Sequence, residues 1–315
     1  MARSEWDDDD ANWGGPVVIA AGEILWDLFP DGPRLGGAPA NFACHAAALG
    51  AESWLVSAVG NDERGTAAIE QFGELGLQTD AIFVDAEHPT GTVDVTVDSQ
   101  GVASFQFAEN CAWDHLPYGD DLNALAVRAQ ALCFGTLGQR GSESRATIQK
   151  LVTAFRGRSG AKPCVLDINF RPPYVDDEVI RESLALANIL KLNEDELPGL
   201  MRRLFNAELP SLDDQDLAPA LKRIASEFQL QWIALTLGPR GAVLYRAGGE
   251  LIRSAGLRVS VKDTVGAGDS FTATLVMGLL QAIKPQQLLD RACEVAAYVC
   301  THAGATPALP HYFRF

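Results

Sequence analysis

Residues 263–269 read DTVGAGD, and an apolar run of short side chains, SFTATLVMGLL, follows them at 270–280. The run is typical of a helix packed inside an α/β domain, which puts the small residues 266–268 at the N-terminus of that helix. Backbone N–H groups there lack intrahelical partners and, with the positive end of the helix dipole, form a site for phosphate oxygens. Asp269 in the first turn can cap the helix, or it can accept a proton from a hydroxyl that attacks a bound phosphate. The stretch therefore indicates phosphoryl transfer.

A second polar group lies near the N-terminus. Residues 16–22, PVVIAAG, predict a buried first strand, and Asp27 follows beyond its carboxyl end, the edge at which open α/β sheets bind ligands. A turn at Gly36 and Gly37 then leads into an Ala-rich helix that carries Asn41. The glycines allow a ligand close to the backbone, and the two polar side chains suit vicinal hydroxyls. A solvated turn residue at Asp27 and a helix-surface amide at Asn41 are the alternatives.

Polar residues follow three further predicted strands. Asn193 and Glu196 come after the strand ILKL, although such a polar group is also an ordinary helix N-terminus. Residues 232–241, WIALTLGPRG, read as a buried strand that ends in a glycine-containing turn. The strand CVLDIN at 164–169 leads into FRPP at 170–173.

The interval 90–107 breaks a rhythm of alternating strands and helices, which otherwise favours a parallel sheet covered on both faces. Its apolar and polar residues alternate around a Ser-Gln-Gly turn at 99–101, the pattern of a half-exposed hairpin. An inserted hairpin with one apolar face needs something to cover, and a lid that excludes water is one such role. A solvent-facing hairpin with no moving part is the other.

Composition bounds the class of protein. The 315 residues include 41 acidic and 25 basic side chains, a net charge of −16, which disfavours a nucleic-acid or anionic-membrane partner. No apolar run reaches the ~18 to 20 residues of a membrane span, and the acidic N-terminus does not resemble a signal peptide, so we expect a cytoplasmic protein. Residues 1–14 are expected to form a mobile acidic tail, and residues 15–315 one folded domain.

Cysteine and histidine spacing gives no sign of a metal site. The six cysteines are scattered without a Cys-x-x-Cys pair, and the five histidines show no ligand spacing. We therefore expect reduced thiols in or near the core.

The order and separation of the two glycine motifs resemble the ribokinase-like carbohydrate kinases, the PfkB family, over almost the whole chain. The family's Gly-Gly-x-x-x-Asn signature corresponds to residues 36–41, and its Asp-Thr-x-Gly-Ala-Gly-Asp signature to residues 263–269. This resemblance implies an α/β, ribokinase-like three-layer fold, with a central mostly parallel sheet flanked by helices and a small β lid from about 23–35 and 88–110. It also implies a sugar kinase that uses ATP and Mg²⁺, that uses K⁺ as many members do, and that pairs as a homodimer through the lid as several members do.

The resemblance assigns roles to residues of this chain. The catalytic set is Asp269 as the base, with the N–H groups of Gly266, Ala267 and Gly268 as the anion hole. The sugar-binding set is Asp27, Gly36, Gly37, Asn41, Asn169 and Arg171. The nucleotide-binding set is Asn193, Thr236, Gly238, Gly241, Gly268 and Gly304. The metal set is Glu196, for Mg²⁺ through water, and Asp263, for the monovalent cation.

The sugar is predicted from weaker signals. The start GEILWD at 22–27 and the run DINFRP at 167–172 are similar to those of fructokinases, which predicts fructose to fructose 6-phosphate. 2-Keto-3-deoxygluconate kinases share much of this pattern and remain the alternative, followed by ribose kinases. The carboxylate of a keto-acid substrate needs a cation, and Arg171 could meet it; Arg171 could equally contact a nucleotide phosphate or pair with a neighbouring acid.

Two other classes of protein fit the sequence less well. A catalytically silent sugar-binding regulator on the same fold would be marked by loss of Asp269 or of the glycine loop, and both are present. An oxidoreductase with a Rossmann site would need Gly-x-Gly-x-x-Gly after the first strand, a spacing that Gly36 and Gly37 do not supply.

Overall fold

The computed structural model describes residues 14–97, 103–157 and 162–315. The acidic tail predicted at 1–14, except its last residue, and the Ser-Gln-Gly turn predicted at 99–101 lie outside the described residues. The strands are β1 (Val17–Ala21), β2 (Leu25–Phe29), β3 (Gly32–Gly36), β4 (Glu52–Gly60), β5 (Ile82–Asp85), β6 (Gly91–Val97), β7 (Ala103–Phe107), β8 (Ala131–Gly135), β9 (Cys164–Asp167), β10 (Ile189–Asn193), β11 (Trp232–Thr236), β12 (Ala242–Arg246) and β13 (Glu250–Ser254). The α-helices are α1 (Ala38–Ala48), α2 (Glu63–Glu74), α3 (Asp120–Arg128), α4 (Ser142–Arg156), α5 (Asp177–Leu186), α6 (Glu196–Phe205), α7 (Asp214–Phe228), α8 (Ala267–Leu280) and α9 (Pro285–Cys300).

The larger sheet has nine strands in the order β13-β12-β11-β10-β9-β8-β1-β4-β5. Neighbouring strands pair in parallel from β5 to β11, and among the strands of the described residues in this sheet only β12 and β13 run antiparallel to their neighbours. The parallel strands place their carboxyl ends at one edge, where the polar residues after β9, β10 and β11 come together. The mostly parallel sheet predicted from the sequence is confirmed.

Helices cover both faces of this sheet, because successive residues of a buried strand point to opposite sides. In β1, Ile19 joins one apolar core and Val18 the other. The first core is completed by α3 to α7, and the second by α1, α2, α8 and α9. The three-layer arrangement is therefore the predicted one, with α1 and α8 on the same face.

The smaller sheet has four strands in the order β3-β2-β6-β7. β6 and β7 pair antiparallel, which confirms the hairpin predicted at 90–107, and β6 joins β2 in parallel. An apolar cluster on this sheet holds Leu25, Val93 and Val95, with Phe29 and Phe107 packed against it. The chain thus builds a second, separate sheet from the two segments that the sequence singled out.

The six cysteines are free, and five of them are buried. This confirms the expectation of unpaired thiols in or near the core. Among the helices in the described ranges, none is long and apolar enough to cross a membrane.

Candidate active site

The N-terminus of α8 presents backbone N–H donors to the sheet edge. The helix starts after Gly266, whose left-handed backbone (φ 78°) favours glycine. The N–H of Ala267 donates to the carbonyl of Thr264 at 3.3 Å, whereas the N–H groups of Gly268 and Asp269 have no partner among the described residues. These unpaired donors stand at the positive end of the helix dipole, which suits an anion.

Asp269, in the first turn of α8, meets Asn41 of α1. The Asn41 Nδ2 atom donates to the Asp269 Oδ2 atom at 2.9 Å, across 228 positions of sequence. The hydrogen bond forms because α1 and α8 pack side by side on one face of the larger sheet. Asn41 is buried in α1, so it is not the helix-surface amide considered as an alternative. The two glycine motifs therefore converge on one carboxylate.

The electrostatic surroundings of Asp269 favour its protonated form more than water does. Burial raises its pKa to about 6, and the nearby Asp167 carboxylate acts in the same direction. The Lys191 ammonium, the Asn41 hydrogen bond and the Arg171 guanidinium oppose this rise. Asp269 is therefore a carboxylate at neutral pH but a better proton acceptor than an ordinary aspartate.

The position of Asp27 corrects one expectation. The sequence predicted that it lies just beyond the carboxyl end of the first strand, but it lies inside β2 of the smaller sheet, where it pairs with Arg34. Only three residues separate β1 from β2, so the chain enters a new strand before it reaches Asp27. Burial raises the pKa of Asp27 to about 6, against the opposing charges of Arg171 and Arg34.

Gly36 and Gly37 carry the chain from β3 into α1. A Cβ atom at Gly36 would lie 2.8 Å from the Asp27 Oδ2 atom, so the absence of a side chain makes room for that carboxylate. Gly37 has a φ of 115°, and a Cβ there would collide with the backbone carbonyl of Glu23. The Glu23 Oε1 atom in turn accepts the N–H of Ala38 at 3.3 Å.

Asn169 and Arg171 follow β9 on the same side as these acids. Asn169 lines a small cavity, about 10 Å³ in volume, together with Glu23 and Asp167. Arg171 is exposed, and its charge lowers the pKa values of Glu23, Asp27 and Asp269. Arg171 is therefore close enough to act on all three carboxyls.

The candidate nucleotide residues cluster at the ends of β10 and β11. Asn193 and Thr236 are paired neighbours in the two strands, and the N–H of Glu194 donates to the Thr236 carbonyl at 3.0 Å. Gly238 and Gly241 form the turn after β11. No hydrogen bond within the described part of the chain joins this group to Asp269.

Glu196 is a buried carboxylate with both oxygens already engaged. Its Oε1 atom accepts the N–H of Phe170 at 2.9 Å, and its Oε2 atom accepts the N–H of Asn193 at 2.8 Å. Mg²⁺ retains several of its waters in proteins, so Glu196 suits contact through water rather than direct coordination. Among the described residues, no group of three or more His, Cys, Asp and Glu side chains is arranged to hold a metal by itself.

Asp263 ties the start of the glycine motif to a later loop. Its Oδ1 atom accepts the N–H of Val265 at 3.1 Å, and its Oδ2 atom accepts the N–H of Gly304 at 3.0 Å. Asp263, which precedes α8, and Gly304, which follows α9, are therefore in direct contact.

Four buried polar residues at this edge were missed by sequence reasoning. Each stands in an otherwise apolar segment, which is the signal that could have identified it: Glu23, Asp167, Lys191 and Thr272. Burial raises the pKa of Glu23 to about 7, and its Oε2 atom has no partner among the described residues. Lys191 donates to Asp167 at 3.1 Å. The Thr272 hydroxyl of α8 lies 3.3 Å from the same carboxylate and 2.9 Å from the Gly268 carbonyl, and its one proton can be donated to only one of them.

A carboxylate beside unpaired N–H donors at one helix N-terminus can accept a hydroxyl proton next to a bound phosphate, which is the chemistry of a kinase that acts on small hydroxyl compounds. The chain belongs to the pfkB family of carbohydrate kinases, whose family model matches residues 33–311. It is therefore a sugar kinase of the ribokinase-like fold.

Individual relatives span nearly the whole chain. A fructokinase of Klebsiella pneumoniae is 30% identical over 312 residues, which cover 93% of this chain and 96% of the relative. A sugar kinase of Pyrococcus horikoshii, solved in complex with ATP, superposes with a TM-score of 0.75 at 27% identity over 92% of this chain and 94% of its own. The 2-dehydro-3-deoxygluconokinase of Thermotoga maritima has the same fold, with a TM-score of 0.81 at 20% identity and coverage of 93% and 96%.

Proposed function

We propose that this chain is an ATP-dependent fructokinase, which transfers the γ-phosphate of ATP to a primary hydroxyl of fructose and forms fructose 6-phosphate. The hydrogen bond between Asn41 and Asp269, beside the free N–H groups of α8, carries the proposal. The similarity to the fructokinase of Klebsiella pneumoniae supports the sugar, and the ATP complex of the Pyrococcus horikoshii kinase supports the nucleotide.

In the proposed reaction, Asp269 accepts the proton of the sugar hydroxyl as its oxygen bonds to the γ-phosphorus. The bond from that phosphorus to the β-phosphate oxygen breaks, and ADP leaves. A pKa of about 6 keeps Asp269 ionised at pH 7 yet near the operating pH, where a general base is most effective. Asn41 donates to one oxygen of Asp269 and so fixes the direction of the other.

The anion hole stabilises the charge on the transferring group. We assign this role to the N–H groups of Gly266, Ala267 and Gly268, which are fixed in place before the reaction. Mg²⁺, held through water by Glu196, would neutralise charge on the ATP phosphates. Asp263 is the residue we assign to a monovalent cation, K⁺, near the same turn.

The remaining site residues divide between the two substrates. We assign the sugar to the group from the smaller sheet, α1 and the segment after β9, which is Asp27, Gly36, Gly37, Asn41, Asn169 and Arg171. We assign the nucleotide to the group after β10, β11 and α9, which is Asn193, Thr236, Gly238, Gly241, Gly268 and Gly304.

The smaller sheet is proposed to act as a lid. It is built from β2, β3, β6 and β7, in the intervals predicted at about 23–35 and 88–110, and it contributes Asp27. Closure would exclude water, which otherwise competes with the sugar as phosphate acceptor. We also propose that this sheet pairs with a second copy of the chain, an expectation that follows from the resemblance to the family. The free cysteines agree with a place in the reducing cytoplasm.

A second candidate substrate is 2-keto-3-deoxygluconate. One observation favours it: the Arg171 guanidinium is exposed and acts on the three carboxyls of the sugar side, so a cation is available for a substrate carboxylate. Ribose is a third candidate, without a comparable feature in its favour.

ADP release from MgATP would test the proposal, with fructose, 2-keto-3-deoxygluconate, ribose and adenosine as acceptors. Asp269→Asn serves as the blank. We expect turnover with fructose, and phosphorus NMR of the product should identify a 6-phosphate. Turnover with the keto-acid alone would assign Arg171 to the substrate carboxylate and replace fructose. No turnover with any of the four would contradict the proposed reaction.

A further inference from the structure

Lys191 is a cation in the middle of the larger sheet. It lies in β10, between β9 and β11, and its neighbour across the β9 pairing is Asp167. Only 6% of its surface is exposed, and its Nζ atom is 3.1 Å from the Asp167 carboxylate. Among the described residues, the hydrogen bonds of this ammonium go to Asp167 alone. An ammonium carries three N–H donors, so this one carboxylate is a small set of partners for it.

The Lys191 ammonium lies against the turn that begins α8. A Cβ atom at Gly268 would be 3.0 Å from Nζ and 3.8 Å from the preceding carbon of the lysine. Any side chain at position 268 would therefore push the ammonium away from the turn. Gly268 and Asp269 carry N–H groups that have no partner among the described residues, so the ammonium lies beside a turn with unpaired donors.

Two opposing electrostatic effects act on the ammonium at this location. The N-terminus of a helix carries a partial positive charge, which repels an ammonium and attracts phosphate. Asp167, Glu196 and Asp269 offset the repulsion, and their charges raise the pKa of Lys191 despite its burial, so the ammonium stays protonated. Lys191 is therefore a protonated cation beside the helix end that attracts phosphate.

We propose that Lys191 is a further catalytic residue, whose ammonium contacts the transferring phosphoryl group beside Gly268. Asp167 is its positioning residue, because its carboxylate accepts from the ammonium at 3.1 Å. The inference rests on the proposed kinase function of the site. Lys191 keeps all its protons in the reaction: the phosphoryl group leaves ADP for the sugar oxygen, the hydroxyl proton goes to Asp269, and the ammonium contributes charge alone.

The test compares Lys191→Met with a matched lysine far from the site, Lys222→Met, on the exposed face of α7. We expect kcat to fall about 10²–10³-fold for Lys191→Met, the range for loss of one preorganised electrostatic contact. Lys222→Met should retain its turnover. The affinity for MgADP should stay within about twofold, whereas the affinity for MgADP with beryllium fluoride, a mimic of the phosphoryl group, should fall at least tenfold, as expected for loss of a charged hydrogen bond.

The double variant Lys191→Met/Asp167→Asn separates a catalytic role from a structural one. It removes both charges, so no carboxylate at 167 is left without its cation, and it serves even where the single variant folds poorly. We expect it to fold and to remain slow. Recovery of wild-type turnover in the double variant would overturn the proposal. Unchanged binding of the beryllium fluoride complex by Lys191→Met would overturn it as well. A wild-type chain that phosphorylates no sugar would instead contradict the proposed function, while the binding comparison would still test Lys191.

Discussion

Two ion pairs in this protein are equally buried but differ in how fully the surrounding residues satisfy the cation. The side chains of Arg140 and Asp114 are each 8% exposed, and those of Lys191 and Asp167 are 8% and 9% exposed. Burial alone therefore does not tell a structural pair from one at a reactive site. The two pairs are distinguished by the hydrogen-bond partners of each cation.

Arg140 is enclosed by the protein. It donates to both oxygens of Asp114, at 2.8 and 2.7 Å, and to the Ala108 carbonyl at 2.6 Å. Its guanidinium also stacks between the rings of Trp113 and Tyr174, at 3.9 and 4.7 Å from their centroids. Only Nη1 lacks a partner among the described residues. These contacts join the segment after β7 to the segment before α4, and they enclose the guanidinium.

Lys191 is satisfied on one side only. Its described partner is Asp167, and its other side meets the backbone turn at Gly268. A buried charge at a ligand site is therefore recognised by its small number of hydrogen-bond partners and by unpaired donors nearby. Its depth in the core does not identify it.

The largest effect is expected on stability at Arg140. Arg140→Met leaves Asp114 buried without its cation, and we expect the free energy of unfolding to fall by about 3–5 kcal/mol. Turnover of the folded fraction should not change. Urea unfolding followed by circular dichroism would measure the loss. Arg203→Met, which breaks an exposed pair with Asp177, is the control and should cost about 0–1 kcal/mol. A loss below about 1 kcal/mol at Arg140 would remove the contrast between the pairs.

A smaller change in the free energy of unfolding, of opposite sign, is expected at Glu23. This buried acid forms no ion pair with a residue in the described ranges. Its pKa is about 7 in the folded protein and 4.5 in a model peptide, so ionisation at high pH opposes folding. Stability contributed by the protonated acid is thus gained as pH falls from above 7 towards 4.5. We expect Glu23→Gln to raise the free energy of unfolding at pH 8 by roughly 1–3 kcal/mol, since one pKa unit is about 1.36 kcal/mol.

Unfolding at pH 8 and pH 5 would check this prediction. The difference between the two pH values should be smaller in Glu23→Gln than in the wild type. Glu70→Gln, at an exposed position of α2, should leave the difference as it is. Destabilisation by Glu23→Gln at pH 8 would mean that the charged form is favoured by contacts that the present account omits.

The smallest effect is a shift in pH dependence. If Asp269 is the base, kcat/KM falls as pH decreases through about 6, because the carboxyl becomes protonated. Lys191 lowers the pKa of Asp269, so Lys191→Met should move this acid limb to higher pH by roughly one unit. Arg140→Met should leave it in place. Glu23, with a pKa of about 7, is the other acid whose protonation would give such a limb. If Asp269 is its source, the limb should remain in Glu23→Gln.

The sequence predicted those parts of the molecule that depend on local pattern. The small residues before an apolar run placed the start of α8, and the alternation at 90–107 predicted the β6–β7 hairpin. The residue pattern placed Asp27 just beyond the first strand and did not predict β2, because only three residues separate the two strands. Nor did it identify Lys191 and Asp167, whose significance depends on pairing between β9 and β10 and on the approach of α8 over them. Such contacts between distant segments arise from packing and have no local signature.

Asp269→Asn tests the central claim most directly, with Asp121→Asn, an exposed aspartate in the first turn of α3, as the matched control. The measurement is kcat for ADP release with fructose, together with fructose affinity by calorimetry. We expect kcat to fall by at least ~10²–10⁴-fold in Asp269→Asn while sugar binding survives, and we expect Asp121→Asn to behave as the wild type. Near-normal turnover in Asp269→Asn would contradict its role as the base.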